Sequence, residues 1–103
     1  MNVRVAHLHA NRNWGGGENQ LLALARRMHA WGIFTVLVTP ADGALYPLAR
    51  RAGLRTLAFP DDSAARRQLA LDLEEFSLTH LNAQDSGSTS LGLVLRRNLG
   101  VPL

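Results

Sequence analysis

The sequence predicts an α/β fold, a Rossmann-like doubly wound parallel sheet of strand order 3-2-1-4, and three observations predict it. Short β-rich apolar runs alternate with helical patterns along the 103 residues, and strict βα alternation implies a parallel sheet with helices on both faces. Gly32, Gly53 and Gly100 each follow a helical pattern, where a left-handed residue stops a helix. The turn Gly15-Gly16-Gly17-Glu18 joins the first strand to the first helix, and a glycine-rich strand-to-helix turn is a ready anion site because unpaired N–H groups and the helix dipole converge there.

Each element has its own warrant. Residues 3–9 alternate as a strand, and residues 17–31 carry Leu21, Leu24, Ala25, Met28 and Trp31 at helical spacing. Phe34 to Thr39 is a β-rich run closed by Pro40. Asp42 is the expected cap of a helix over 43–52, and residues 54–59 form a third, weaker strand. Ser63 is the expected cap of a helix over 64–76 whose buried stripe is Ala65, Leu69, Leu73 and Phe76. Residues 78–82 read as the fourth strand. Gly87-Ser88 then opens a last helix with Leu91, Val94, Leu95 and Leu99 inward. Val101-Pro102-Leu103 reads as the start of a fifth strand cut short, which would leave the fourth strand as an open edge.

Length sets one domain over 1–103, with a core of its own and no room for a second. A hydrophobic content of 47% with 18% charge excludes a disordered chain. The absence of cysteine excludes a disulfide frame and thiolate metal sites, and fits a reducing compartment. No apolar run is long enough to span a bilayer, and the amino terminus has no signal-peptide layout, so a cytoplasmic location is expected. All eleven basic residues are arginines, with Arg26/Arg27, Arg50/Arg51, Arg66/Arg67 and Arg96/Arg97 in pairs on the helices. Such dispersed pairs read as solvated faces, with at most weak peripheral attraction to an anionic membrane surface, and not as a nucleic-acid interface.

The predicted strand order places the topological switch between the first and fourth strands, and ligands in such sheets bind outside the carboxyl ends at that point. The loops there, 9–18 and 82–88, also hold the densest polar chemistry of the chain. The candidate substrate-binding residues are His9, Asn11, Asn13, Gly15, Gly16, Gly17 and Glu18 on one loop, with Asn82 and Asp85 on the other. The three glycines serve either a tight turn, including any positive φ it requires, or close approach of a phosphate or sugar to the backbone. Glu18 is either a first-turn acid favoured by the helix dipole or a hydrogen-bonding group of the crevice. Asp85 suits a cap of the last helix, together with Ser86, better than a general base. His7, His9 and His80 lie on neighbouring strands, yet no carboxylate or fourth ligand stands at suitable spacing, so no metal site is expected. A phosphate-loop lysine is impossible in a chain without lysine.

At these residues the chain resembles the amino-terminal domain of retaining GT-B fold glycosyltransferases of family four. The resemblance is carried by Gly15-Gly16-Gly17-Glu18, by Leu22-Ala23-Leu24-Ala25-Arg26-Arg27-Met28, by Gly32, and by Phe34 to Thr39. The Leu48-to-Gly53 segment, His80-to-Ser86 and Leu99-Gly100-Val101-Pro102 also fit. The chain departs from the family pattern at Ile33, Ser77 and Asn82, where the family often has His, Asp and His.

The resemblance implies the acceptor-side part of a glycosyltransferase. In such an enzyme a nucleotide-sugar serves as substrate, no cofactor is needed, and a sugar passes to a carbohydrate or lipid-linked acceptor, as in building cell-envelope polysaccharide. It implies too that a second, donor-binding domain is missing here and that the chain alone is inactive. Two other classes share the fold: a nucleotide- or phosphate-binding Rossmann domain of dinucleotide type, and a non-catalytic flavodoxin-like interaction module. The first lacks its Gly-x-Gly-x-x-Gly spacing here, and a receiver-type module lacks its acids at the end of the first strand.

Overall fold

The β-branched and leucine-rich runs form strands, and the leucine-alanine stretches between them form helices. The order is β1 (Arg4–Leu8), α1 (Gly16–Ala30), β2 (Phe34–Thr39), α2 (Leu45–Arg51), β3 (Arg55–Ala58), α3 (Ser63–Glu74), β4 (His80–Ala83) and α4 (Ser86–Leu99). The computed structural model describes residues 2–103. All three strand pairs are parallel and the sheet order is β3-β2-β1-β4, as the alternation predicts. In register, His7 of β1 lies between Leu37 of β2 and Asn82 of β4.

Alternation along the central strands separates two cores. Ala6, Leu8, Val36 and Val38 pack with Leu69 and Leu73 of α3 and with Leu91 and Leu95 of α4. On the other face Leu37 packs with Leu21 and Ala25 of α1 and with Leu45 and Ala49 of α2. His7, His9, Thr35 and Thr39, all buried, share that second face by the same alternation. This is the doubly wound arrangement, with α1 and α2 on one side and α3 and α4 on the other.

Several local expectations are corrected. The cap of α3 is Asp62, whose side chain accepts from the Ala65 N–H, and not Ser63, which is already helical. Helix α2 starts without a side-chain cap at Ala44, because the turn Pro40–Gly43 closes on itself and Asp42 is drawn to Arg12. Trp31 is 70% exposed: α1 ends at Ala30, so the helical spacing that would turn Trp31 inward no longer applies. Leu24 and Val94 are more than a third exposed, and Ala65 is exposed on α3. In α4 the inward position next to Leu91 is Gly92, where a Cβ would come within 2.8 Å of Leu103 Cδ1.

The expected fifth strand does not form. Residues 101–103 still run along β4: Leu81 N–H donates to Pro102 O at 2.8 Å and Val101 is buried in the larger core. A proline offers no N–H, so the ladder cannot continue through it. The edge of β4 is thus partly covered, contrary to the bare edge expected.

Gly32, Gly53 and Gly100 take the left-handed conformation expected of helix stops, with φ of 78°, 79° and 65°. After α3 the same role falls to Ser77, at φ 52°. A residue with a Cβ holds that conformation at a cost of about 1–2 kcal/mol. Ser77→Gly is therefore expected to stabilise the chain by roughly 0.5–1 kcal/mol after glycine's larger unfolded-state entropy is subtracted. Urea denaturation of the two forms checks this, and an unchanged or lower midpoint contradicts it.

Candidate functional site

Strands β1 and β4 stay paired to their carboxyl ends, and the helices that follow them, α1 and α4, lie on opposite faces of the sheet, with a cleft beside the two loops. The cleft measures about 380 Å³ and is lined by His9, Gly17, Glu18, Gln20, Leu21, Leu24, Gln84 and Asp85. It lies where the predicted strand order puts a ligand.

One wall is fixed by Asp85. It is the N-cap of α4, accepting from the Ser88 N–H at 3.0 Å, while the Ser88 hydroxyl approaches the Asp85 N–H in a capping box. The partner in that box is Ser88 and not Ser86. The same carboxylate reaches across the crevice and accepts from Ala10 N–H at 3.0 Å and Asn11 N–H at 3.1 Å. Burial works to raise the Asp85 carboxyl pKa, but the contacts with Ser88, Ala10 and Asn11 outweigh it and hold the group below the usual carboxylate range. Asp85 is thereby an ionised tie between two loops.

The floor is a buried polar chain. Thr39 Oγ1 and His9 Nδ1 lie 2.8 Å apart, and His9 Nε2 lies 2.8 Å from Glu18 Oε2. Asn11 Nδ2 adds a longer contact to the same Glu18 oxygen. The hydrogen bond from His9 holds the Glu18 carboxyl below its usual range, against the burial that would raise it. Thr39 was not among the sequence candidates. The signal that finds it is its place at the carboxyl end of β2, beside His9 on the same face.

The glycines do not serve the turn. Gly15 is the N-cap of α1 in extended conformation, Gly16 and Gly17 are helical, and none of the three has positive φ. A Cβ on Gly16 or Gly17 would meet nothing within 4 Å, whereas one on Gly15 would press on Glu18 Oε1 at 3.3 Å. The start of α1 therefore offers bare backbone to open space.

The remaining candidates are placed elsewhere. Asn82 turns to His7, with Nδ2 3.1 Å from His7 Nδ1, and does not line the cleft. Asn13 is exposed, and its N–H donates to Asn11 Oδ1, which shapes the loop. Arg12 ties the loop to its neighbours through Asp42 at 3.0 Å and Asp61 at 3.6 Å. His80 is exposed and hydrogen-bonds Thr79. The three strand histidines thus have separate partners, and among the described residues no cluster could hold a metal ion.

No protein-family model matches the chain, and no curated protein matches it. Solved structures do. The chain superposes on Anabaena Alr3699/HepE in complex with UDP with a TM-score of 0.81 at 16% identity, over 98% of this chain and 28% of that one. The complex of the same protein with UDP-glucose gives a TM-score of 0.79 at 16% identity, and the complex with UDP and glucose 0.78 at 17%. The likeness is one of fold, and the chain spans less than a third of the length of that protein.

His7 generates a prediction. It is 2% exposed with Nε2 unpartnered, and burial lowers its imidazole pKa from 6.5 to about 4. Below about pH 6.5 the unfolded chain takes up a proton that the folded one refuses until about pH 4, so stability present at neutral pH is lost as pH falls through that window. The full effect is about 3 kcal/mol. Glu18 and Asp85, with depressed folded values, lose their contributions in the same direction at lower pH. His7→Phe is expected to flatten the decline between pH 6.5 and 4.5, measured by urea midpoints. A variant with the parent's slope would show that His7 is not its source.

Proposed function

We propose that this chain is the acceptor-side part of a glycosyltransferase that moves a sugar from a nucleotide-sugar donor to a carbohydrate or lipid-linked acceptor. The observation that carries the reading is the bare backbone of Gly16 and Gly17 at the start of a 15-residue helix, beside a polar cleft at the switch point. The conformation of the turn does not require these glycines, so a ligand that approaches the main chain is the remaining physical reason for them. The fold shared with a protein crystallised with UDP-glucose supports it, as do the glycine-loop and helix residues of the family resemblance.

In this reading the exposed N–H groups of Gly16 and Gly17, with about half a positive charge from the helix dipole, position the donor's diphosphate or sugar. His9, Glu18, Asn11 and Asn13 shape the loop on one side of the ligand, and Asp85 holds the facing loop. A retaining transfer through an oxocarbenium-like state asks the protein mainly for electrostatic positioning, which amides and dipoles supply. The dinucleotide reading is weaker, since the one acid shortly after β2, Asp42, is engaged with Arg12.

Two expected outcomes test the proposal. The purified 103-residue chain should transfer no sugar from a nucleotide-sugar, because the donor must be clamped by a second domain, while the complete polypeptide encoded with it should. Turnover by this chain alone, or none by the complete polypeptide with any nucleotide-sugar, contradicts it.

Gly16→Val in the complete polypeptide should lower transfer by about a hundredfold, the usual effect of losing one positioned electrostatic contact. Its melting temperature should be unchanged or slightly raised, because the new side chain meets open space and valine is the better helix former. Normal turnover beside a normal melt would show that the glycines contact no substrate.

A further inference from the structure

We propose that the end of the sheet opposite the cleft docks the protein on a membrane surface of anionic lipid, with Trp31 seated among the headgroups. The arginine pairs are dispersed along the sequence, but the fold gathers most of them. Each helix runs back along the parallel sheet, so the last turns of the helices and the first residues of the strands share one end of the molecule. Arg27 stands in the last turn of α1, Arg50 and Arg51 in that of α2, and Arg96 and Arg97 in that of α4. Arg4 and Arg55 open β1 and β3. Seven of the eleven arginines are thus at this end, against three acids, Asp72, Glu74 and Glu75, all at the end of α3. The cleft end has the opposite balance, with Glu18, Asp42, Asp61, Asp62 and Asp85 against Arg12, Arg66 and Arg67.

Helix dipoles favour cations in a last turn, which is a structural reason for the arginines on α1, α2 and α4. It does not extend to Arg4 and Arg55. Their guanidinium groups both lie over the Phe34 ring, 3.9 and 4.7 Å from its centroid, so two like charges share one ring. Among the described residues no carboxylate pairs with any of the seven, and the ion pairs of His9 and Arg12 are all at the cleft end. Cations gathered against their own repulsion, with no internal partner, complement an extended anionic surface. Trp31 selects a lipid surface. It is 70% exposed and shares the rim of a depression of about 350 Å³ with Val3, Arg4, Ile33 and Phe34. An exposed indole beside small apolar side chains and guanidinium groups matches the headgroup layer, where the ring body meets the acyl boundary and its N–H stays wet. A single-stranded nucleic acid asks instead for a row of stacking aromatics along a groove, and among the described residues Trp31 is the one strongly exposed aromatic at this end. No helix of the described residues is long and apolar enough to cross a membrane, so the contact is with the surface.

Cosedimentation of the purified chain with vesicles tests the inference. The chain is expected to bind phosphatidylcholine vesicles that contain phosphatidylglycerol, to ignore phosphatidylcholine alone, and to be released by high salt. Each arginine near such a surface strengthens binding by about fivefold, so Arg51→Gln with Arg55→Gln should weaken it by about twenty-five-fold. Both side chains are exposed, and the melt should be unchanged. Arg66→Gln with Arg67→Gln makes the same charge change at the cleft end and should leave binding as it was. The two tryptophans report the orientation, because Trp14, 45% exposed, stands at the cleft end. At saturating lipid, brominated phosphatidylglycerol should quench Trp31 in the Trp14→Phe variant and spare Trp14 in the Trp31→Phe variant.

Equal affinity for neutral vesicles overturns the inference, as does quenching of Trp14 in place of Trp31. An equal loss on changing Arg66 and Arg67, or tighter binding to an oligonucleotide than to the anionic vesicles, overturns it too. So does the absence of binding to anionic vesicles at millimolar lipid and low salt. The surface lies at the far end of the sheet from the cleft, so a failure of sugar transfer and a failure of vesicle binding are separate results.

Discussion

Strand β1 is buried on both faces, and the polar groups it carries toward α1 must find partners inside the protein. That constraint organises the site. A buried polar group without a hydrogen bond costs about 1–3 kcal/mol, and β1 brings two imidazoles into the same layer. Each draws a partner from a different neighbour. His7 takes Asn82 from β4, and His9 takes Thr39 from β2 and Glu18 from α1. The sheet order is thus written in side-chain chemistry as well as in the backbone ladder. The same contacts hold the first turn of α1 against the end of β1, which brings Gly17 to the crevice.

A second tie joins the two loops that border the crevice. Asp85 accepts N–H groups from both of its walls, its own helix start and the Ala10–Asn11 backbone. Close by, a Cβ on Gly87 would meet Ala10 Cβ at 3.0 Å, so the two loops touch where the carboxylate joins them. An ionised group that satisfies three main-chain donors positions loops without flexible side-chain pairs, and its strength comes from charge-assisted bonds at partial burial. By contrast, the Arg12 contacts to Asp42 and Asp61 lie in solvent, where an ion pair contributes little. On that outer side the loop is held by its backbone, with Ala44 N–H donating to Arg12 O at 3.0 Å.

The fold was legible because its signals are local and repeated. Alternation of element types gave the parallel sheet, and the stop glycines gave three helix ends. What misled were residues whose fate depends on a distant neighbour or on the backbone angles of one turn. Asp42 is a reasonable helix cap by spacing, but Arg12, thirty residues earlier, claims it. Asp62 and Ser63 are both good caps, and only the backbone angles of the turn decide between them. For the site, the crevice position and the capping role of Asp85 could be read from strand order and spacing. The Thr39–His9–Glu18 chain could not, because it needs three elements in register at once. The direction taken by Asn82 follows from the same register: His7 stands directly beside it, so the amide is engaged inside the sheet.

The start of α1 shows how far a structural cause can be separated from a functional one. A glycine at a helical position is less favourable than alanine by up to about 1 kcal/mol. Gly15 has a steric reason, since a side chain there would displace Glu18 Oε1. Gly16 and Gly17 have none: their backbone is ordinary helix and the space above them is empty. An element that forgoes helix stability at two adjacent positions has no conformational need for it here, and the proposed approach of a ligand to the main chain would supply the reason. Gly17 and Glu18 both line the cleft, and His9 holds the Glu18 carboxylate there.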